Sequence, residues 1–375
     1  MAFNFLNAGL KELLKVKHFK IDLTSLFSDT YLKLSKQHLR SIMTSNPIIT
    51  TIDFEKEGKQ TGYLRLPHSV HRSAYGWIPF PVACIRNGEG PTALLLAGTH
   101  GDEYEGQITL SKLIYELKPQ DIKGRVIILP MLNFPAAKAG LRTSPIDDLN
   151  LNRVYPGDPG GTPTLVIAHY VETVLMPMAD YGLDLHSGGS SLHYIPSAVG
   201  ALETDSERLQ EIQRLMKVFG APYSFFFPGG HAAGTSGNHA ARRQNVLMFG
   251  TEMGGSGTVT AECLKICEEG TRRFLAEIGV LLNSGVAPTK TESRMLHAPD
   301  FSFFSYADGE GLFEPTARLG SDVKKGEIAG FVHTPENPGS KPETVYFDNG
   351  GVVVCQRIPG QVVRGDCLYH LGCDF

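Results

Sequence analysis

The chain has little that would tie it to a large charged partner. Its 35 Lys and Arg against 39 Asp and Glu leave a formal charge of −4 over 375 residues, so there is no electrostatic footprint for nucleic acid or an anionic membrane. No apolar stretch approaches the length needed to span a bilayer. The N-terminus lacks the apolar core and small-residue cleavage site of a secretory signal. Cysteine is sparse: Cys84, Cys263, Cys267, Cys355, Cys367 and Cys373 include no CxxC pair, which argues against a disulfide framework or a sulfur-ligated metal and for reduced thiols in the cytoplasm. No Walker sequence occurs, and "GGSGTVT" fits no dinucleotide fingerprint. "GTSGN" misses the GxSxG nucleophile elbow at its final asparagine. What remains is a globular chain with 42 % apolar residues, enough for a sizeable core, whose expected ligand is a small molecule.

Three regions differ in pattern. Residues 1–42 are Lys-rich with short apolar periodicities and are read as an N-terminal extension. Met43 opens "MTSNPIITTIDFEKEG", so the extension is either an over-long gene call or an accessory helical arm. Over residues 43–288, strand-like runs ("TALLLAG", "GRVIILPML", "YGLDLH", "NVLMFGTE") alternate with amphipathic stretches such as "GQITLSKLIYELK" and "AECLKICEEGTRRFLAEIGVLL". That alternation predicts an α/β domain on a mixed, mostly parallel sheet flanked by helices. Residues 289–375 carry short strands and turn signals without a helix, which predicts a small all-β domain. In open α/β sheets the ligand crevice lies beyond the carboxyl ends of the strands, and the polar clusters of this chain fall just there.

The first cluster is "GTHGDEYEG" at 98–106, directly after "PTALLLA". His100 and Glu103 stand at a spacing that one turn of helix aims at a single point, and they supply two of the three ligands of a His₂Glu zinc site. His186 in "YGLDLHSGG" is the candidate third ligand, with Asp184 on the same face as its hydrogen-bond partner. Taken singly, a strand-end histidine is also a loop residue, and the acidic residues of "GDEYEG", Asp102 and Glu105 included, also suit a helix start. Glu252 in "NVLMFGTEMGG" presents a carboxylate at the end of a buried run, as a general base requires; a structural ion pair with an arginine is the alternative. Arg142, Asn152 and Arg153 offer a carboxylate clamp and an oxyanion donor, or simply solvated surface. His231 and His239, in "FFFPGGHAAGTSGNHAARR", suggest a mobile loop over the site, or a plain surface loop.

In order, "GTHGDEYEG", "NLNRVYPG", "DLHSGG" and "GTEMGG" resemble the motif series of the succinylglutamate desuccinylase/aspartoacylase family, a branch of the zinc-carboxypeptidase-like fold. The ending, with "GLFEP", "VKKGEIAGFVH" and "DNGGVVV", resembles that family's C-terminal β domain. The resemblance implies one Zn²⁺ per subunit on His100, Glu103 and His186, with Glu252 as general base. It implies Arg142 as the arginine that polarises the scissile carbonyl, and Asn152 and Arg153 as ligands of the substrate's α-carboxylate. Arg242 lies where aspartoacylase carries a further carboxylate-binding arginine. Within the family, "NPIITTIDFEKEGKQTGYLRLP" and "NGEGPTALLLAGTHGDEYEGQ" look most like the deacetylases of ectoine breakdown, which act on N2-acetyl-L-2,4-diaminobutanoate. The expectation is therefore a cytoplasmic zinc amidohydrolase acting on an N-acyl amino acid, as a homo-oligomer and in the first instance a dimer, with no nucleic-acid or membrane partner. Deacylation of another N-acyl amino acid, carboxypeptidase action and a non-catalytic binding protein are the alternatives.

Overall fold

The structure, a computed structural model, describes residues 46–228, 231–289 and 292–375; the N-terminal extension expected over 1–42 lies outside them. In chain order the elements begin with β1 (Ile49–Thr50), β2 (Gly58–Pro67), β3 (Trp77–Asn87) and β4 (Thr92–Ala97). Then come α1 (Glu105–Glu116), β5 (Gly124–Leu129), α2 (Phe134–Ala139) and α3 (Pro163–Tyr170). The middle of the chain holds β6 (Tyr181–Leu185), β7 (Leu192–Tyr194), β8 (Ser197–Ala201), α4 (Ser206–Phe219), β9 (Tyr223–Phe227), α5 (Gly237–Arg243), β10 (Leu247–Glu252) and α6 (Ala261–Glu277). The remainder is β11 (Arg294–His297), β12 (Phe304–Tyr306), β13 (Gly311–Pro315), β14 (Asp322–Val323), β15 (Ile328–His333), β16 (Glu343–Tyr346), β17 (Gly351–Arg357), β18 (Gln361–Val362) and β19 (Cys367–Asp374).

One large sheet runs β1-β2-β3-β5-β4-β6-β10-β8-β9-β11-β19-β17-β14. Its centre is parallel, β5 beside β4, β4 beside β6 and β6 beside β10, and the β8–β9–β11 run is parallel too. β10 and β8 meet antiparallel. Both faces of the centre are covered, which is why β4 reads "TALLLA" and is buried throughout instead of alternating. Alternation survives in where its side chains go. Leu95 packs with Leu110 of α1, Phe219 of α4 and Phe274 of α6, whereas Leu94 and Leu96 pack on the other face with Ile167 of α3 and Met248. The helices stop where their sequence says: Asp205 caps α4 by accepting from the Glu207 and Arg208 amides, and Gly220, in the left-handed region, ends it.

The β-rich C-terminal stretch is joined to this sheet by hydrogen bonds. β11 continues the sheet from β9, β19 pairs with β11, and β17 with β19. β7, which follows His186 by a few residues, pairs with β17, and β12 lies on β19. A smaller antiparallel sheet, β16-β15-β13-β18, completes the region. Residue 289 thus marks a change in element type, while Asn46–Phe375 pack as one compact unit.

Candidate active site

Three adjacent strands, β4, β6 and β10, end at one edge of the sheet, in register through the Ala97–Leu185 and Gly250–Asp184 pairs. Beyond their carboxyl ends lie His100 and Glu103, then His186, then Glu252. The loop after β4 is pressed against α2: a Cβ on Gly101 would stand 2.0 Å from the Ala136 carbonyl carbon, so only glycine lets the chain pass there and turn both ligands inward.

His100 Nδ1 and His186 Nδ1 each lie 2.7 Å from an oxygen of Glu103, and candidate ligand atoms of the three side chains lie within 4.8 Å of one another. The outer nitrogens are held too. His100 Nε2 is 3.0 Å from Asn150 Oδ1, and His186 Nε2 is 3.0 Å from Asp184 Oδ2. Thr99 Oγ1 donates to Asp184 at 3.0 Å. With each Nε2 donating outward, both rings keep an Nδ1 lone pair for the centre, the tautomer a metal ion needs. Burial works to raise the Glu103 carboxyl, but His100 and His186 outweigh it and hold the group below its usual range. Burial lowers His100. His186 is also penalised by burial, yet Asp184 and Glu103 keep it above its ordinary value. Buried carboxylates that favour positive charge at this spot suit a cation, and the donor set fits zinc.

Replacing Asp184 by alanine removes the anchor of His186 Nε2 and is expected to weaken zinc retention about 10- to 100-fold. Competition with a chromophoric chelator reads this directly; unchanged retention would show that Asp184 does not orient the ring.

Glu252 is half-buried at the side of the same centre, with its Oε2 shielded from solvent and accepting from no group among the described residues. Burial, reinforced by the charge of Glu103, pushes its carboxyl well above the usual range, toward the working range of a base at neutral pH. The ion pair that sequence alone left open is not present among the described residues. Arg142 Nη1 lies 3.4 Å from Glu103 Oε1. Asn152 Oδ1 accepts from the Gly237 amide at 2.8 Å, which leaves its Nδ2 as a donor. Arg153 donates to the Asn152 carbonyl; its burial, with Arg142 nearby, lowers its pKa. Glu252, Arg142, Asn152 and Arg153 line one cavity of about 320 Å³ together with His100 and His186.

Arg242 stands elsewhere. Its guanidinium pairs with Glu203 at 3.1 Å and donates to Thr204 at 2.7 Å, and it is not among the residues lining the cavity. The physical reason is helix phase: α5 buries Ala240 and Ala241 and turns its basic end outward. Of the loop expected over the site, His239 lines the cavity and bonds Ser236, while residues 229–230 fall outside the described residues. Asp102 is no helix cap: it accepts from the Ser190 amide at 2.8 Å and so holds the loop that follows His186. Glu105 lies in the first turn of α1, where burial pushes its carboxyl up to about 7. Sequence reasoning missed Asn150, Thr99 and the aromatic side chains that the C-terminal strands bring to the cavity.

A His–Glu–His centre at the strand ends, beside a lone half-buried carboxylate and an arginine pair, is the layout of a hydrolase of linear amide bonds. Residues 89–278 match the succinylglutamate desuccinylase/aspartoacylase catalytic domain. The chain is 42 % identical to the N-alpha-acetyl-L-2,4-diaminobutyric acid deacetylase of Halomonas elongata over 323 residues, 86 % of this chain and 94 % of that one. A product-bound ectoine utilization protein EutE from Ruegeria pomeroyi is similar at 38 % identity and a TM-score of 0.83, covering 88 % of this chain and all of that one. A succinylglutamate desuccinylase/aspartoacylase from Rhodobacter sphaeroides is similar at 35 % identity and the same TM-score and coverage. The chain belongs to the succinylglutamate desuccinylase/aspartoacylase family.

Proposed function

We propose that the protein hydrolyses N2-acetyl-L-2,4-diaminobutanoate to acetate and L-2,4-diaminobutanoate, using one zinc ion held by His100, Glu103 and His186. The observation that carries the choice of substrate is the charge of the cavity. Arg142 and Arg153 are its only described lining side chains with a fixed positive charge, enough for one carboxylate and one developing oxyanion. An N-acylated aspartate or an N-succinyl substrate brings a second carboxylate, and Arg242 is turned away from it. His239 does not replace that arginine, because burial lowers its pKa and keeps the ring neutral. The deacetylase activity named for the Halomonas elongata relative points the same way.

When bound, zinc acts as a Lewis acid that acidifies water and polarises the acyl carbonyl. The chain's own groups do the rest. Arg153 and the Asn152 amide hold the α-carboxylate and so fix the amide relative to Glu252. Glu252 accepts a proton from the attacking water and passes it to the departing amine nitrogen, two transfers that a carboxyl raised by burial makes in turn. Arg142 donates to the acyl oxygen as negative charge develops there. Asn150 and Asp184 keep both imidazoles oriented through the cycle. All six cysteines are free, which supports a place in the reducing cytoplasm. Among the described residues no helix is long and apolar enough to cross a membrane.

Acetate release from N2-acetyl-L-2,4-diaminobutanoate, its N4-acetyl isomer and N-acetyl-L-aspartate, with and without added zinc, tests the reading. The N2 isomer is expected to lead by at least about tenfold, the cost of one misplaced charge, and chelation to abolish turnover. A preference for N-acetylaspartate overturns the substrate and leaves the chemistry standing.

A further inference from the structure

The cavity needs a way to hold the substrate's terminal ammonium. Its described acidic lining residues are Asp184 and Glu252. Asp184 is engaged by His186 and Thr99, and Glu252 must stay available to water. No carboxylate is left for the side chain. Aromatic faces are present instead. Tyr194, Phe227, Phe304 and Tyr306 all line the cavity, and the sheet register explains why they meet. Tyr194 on β7 is the partner of Cys355 on β17, Cys355 of His370 on β19, and His370 of Phe304 on β12. Cross-strand partners share a face, so one row across four strands carries Tyr194 and Phe304 to the same wall. Buried His370 lies between them. Its ring stacks on Phe304 at 3.8 Å and 19°, lies 5.6 Å from Phe227 at 28°, and meets Tyr194 edge-on. Tyr306 runs parallel to Phe304 at 6.3 Å and 16°, and both rings line the cavity.

We propose that this aromatic wall is the subsite for the substrate's side-chain ammonium, with Phe304 as the specificity-determining ring and His370 as the residue that positions it. The inference rests on the diaminobutanoate reading. A cation over an aromatic face is attracted by the ring quadrupole, and more strongly where water is excluded. The neutral isostere N-acetyl-L-norvaline has the same length of side chain without the charge, so it separates charge recognition from shape.

The test compares kcat/KM for the two substrates in wild type and variants. Phe304→Leu, which keeps apolar bulk, is expected to lower kcat/KM for N2-acetyl-L-2,4-diaminobutanoate about 10- to 30-fold, the weight of a partly desolvated cation–π contact, chiefly through KM. For N-acetyl-L-norvaline the loss is expected to stay below about threefold, since a leucine face remains. His370→Ala is expected to lose selectivity in the same sense, and His370→Phe to restore it; a role in folding alone would depress both substrates together in His370→Ala. Equal losses for both substrates in Phe304→Leu, or an unchanged ratio as pairing of the ammonium with Glu252 would give, overturn the proposal. Failure of the diaminobutanoate reading shows earlier and differently, as wild-type preference for N-acetyl-L-aspartate.

Discussion

Replacing Glu252 by glutamine is expected to lower kcat by about three to four orders of magnitude, the upper range for general acid–base groups, while zinc binding is expected to match that of the wild type. Glutamine keeps the shape and cannot take the proton. The size of the effect follows from isolation: Glu252 Oε2 has no partner among the described residues, so no neighbouring base stands ready to replace it. Retention of zinc follows because none of the contacts that hold His100, Glu103 and His186 together involves the Glu252 carboxylate. Metal analysis and an acetate-release assay on the same preparation read both halves. A variant within tenfold of wild type would remove Glu252 from the chemistry, and loss of zinc would reassign it to the metal site.

Replacing Glu103 by alanine is expected to be the more complete lesion, with zinc lost and acetate release at background. Two histidines then remain, one ligand short of the catalytic set. Glu103 contacts both imidazoles and also accepts from the Ser187 amide at 3.2 Å, so no nearby side chain fills its place. The alternative, an acidic residue that serves the start of α1, makes a different forecast. Loss of a helix-start contact costs about 1 kcal/mol of stability and leaves the metal bound. Zinc titration of the purified variant beside a thermal melt separates the two outcomes.

That His100, Glu103 and His186 come together was legible in the sequence because the signal is local. His100 and Glu103 sit on one turn, and His186 and Glu252 each close a buried run, so strand ends and parallel order suffice to gather them. Asn150 was hidden by its neighbour: Asn150 and Asn152 stand in the same short turn, and nothing in the spacing says which one faces the histidine. Arg242 misled because α5 is short, so its phase depends on which residues pack beneath it, and Ala240 and Ala241 do. The expected boundary at residue 289 was a change of pattern, and Asn46–Phe375 pack as one unit across it. Period-2 strands look alike, however, whichever sheet they join, and the pairing of β7 with β17 reaches across more than 150 residues of chain. The aromatic wall depends on that pairing and on β12 against β19, which no local pattern records.

The pairing of β7 with β17 also separates two kinds of change. The strands that lead to the His–Glu–His cluster, β4 and β6, lie in the first half of the chain, while Phe304, Tyr306 and His370 arrive from the last third. With the aromatic wall as the side-chain subsite, substitutions on β12 and β19 are expected to alter which amino acid is accepted while leaving His100, Glu103, His186 and Glu252 in place.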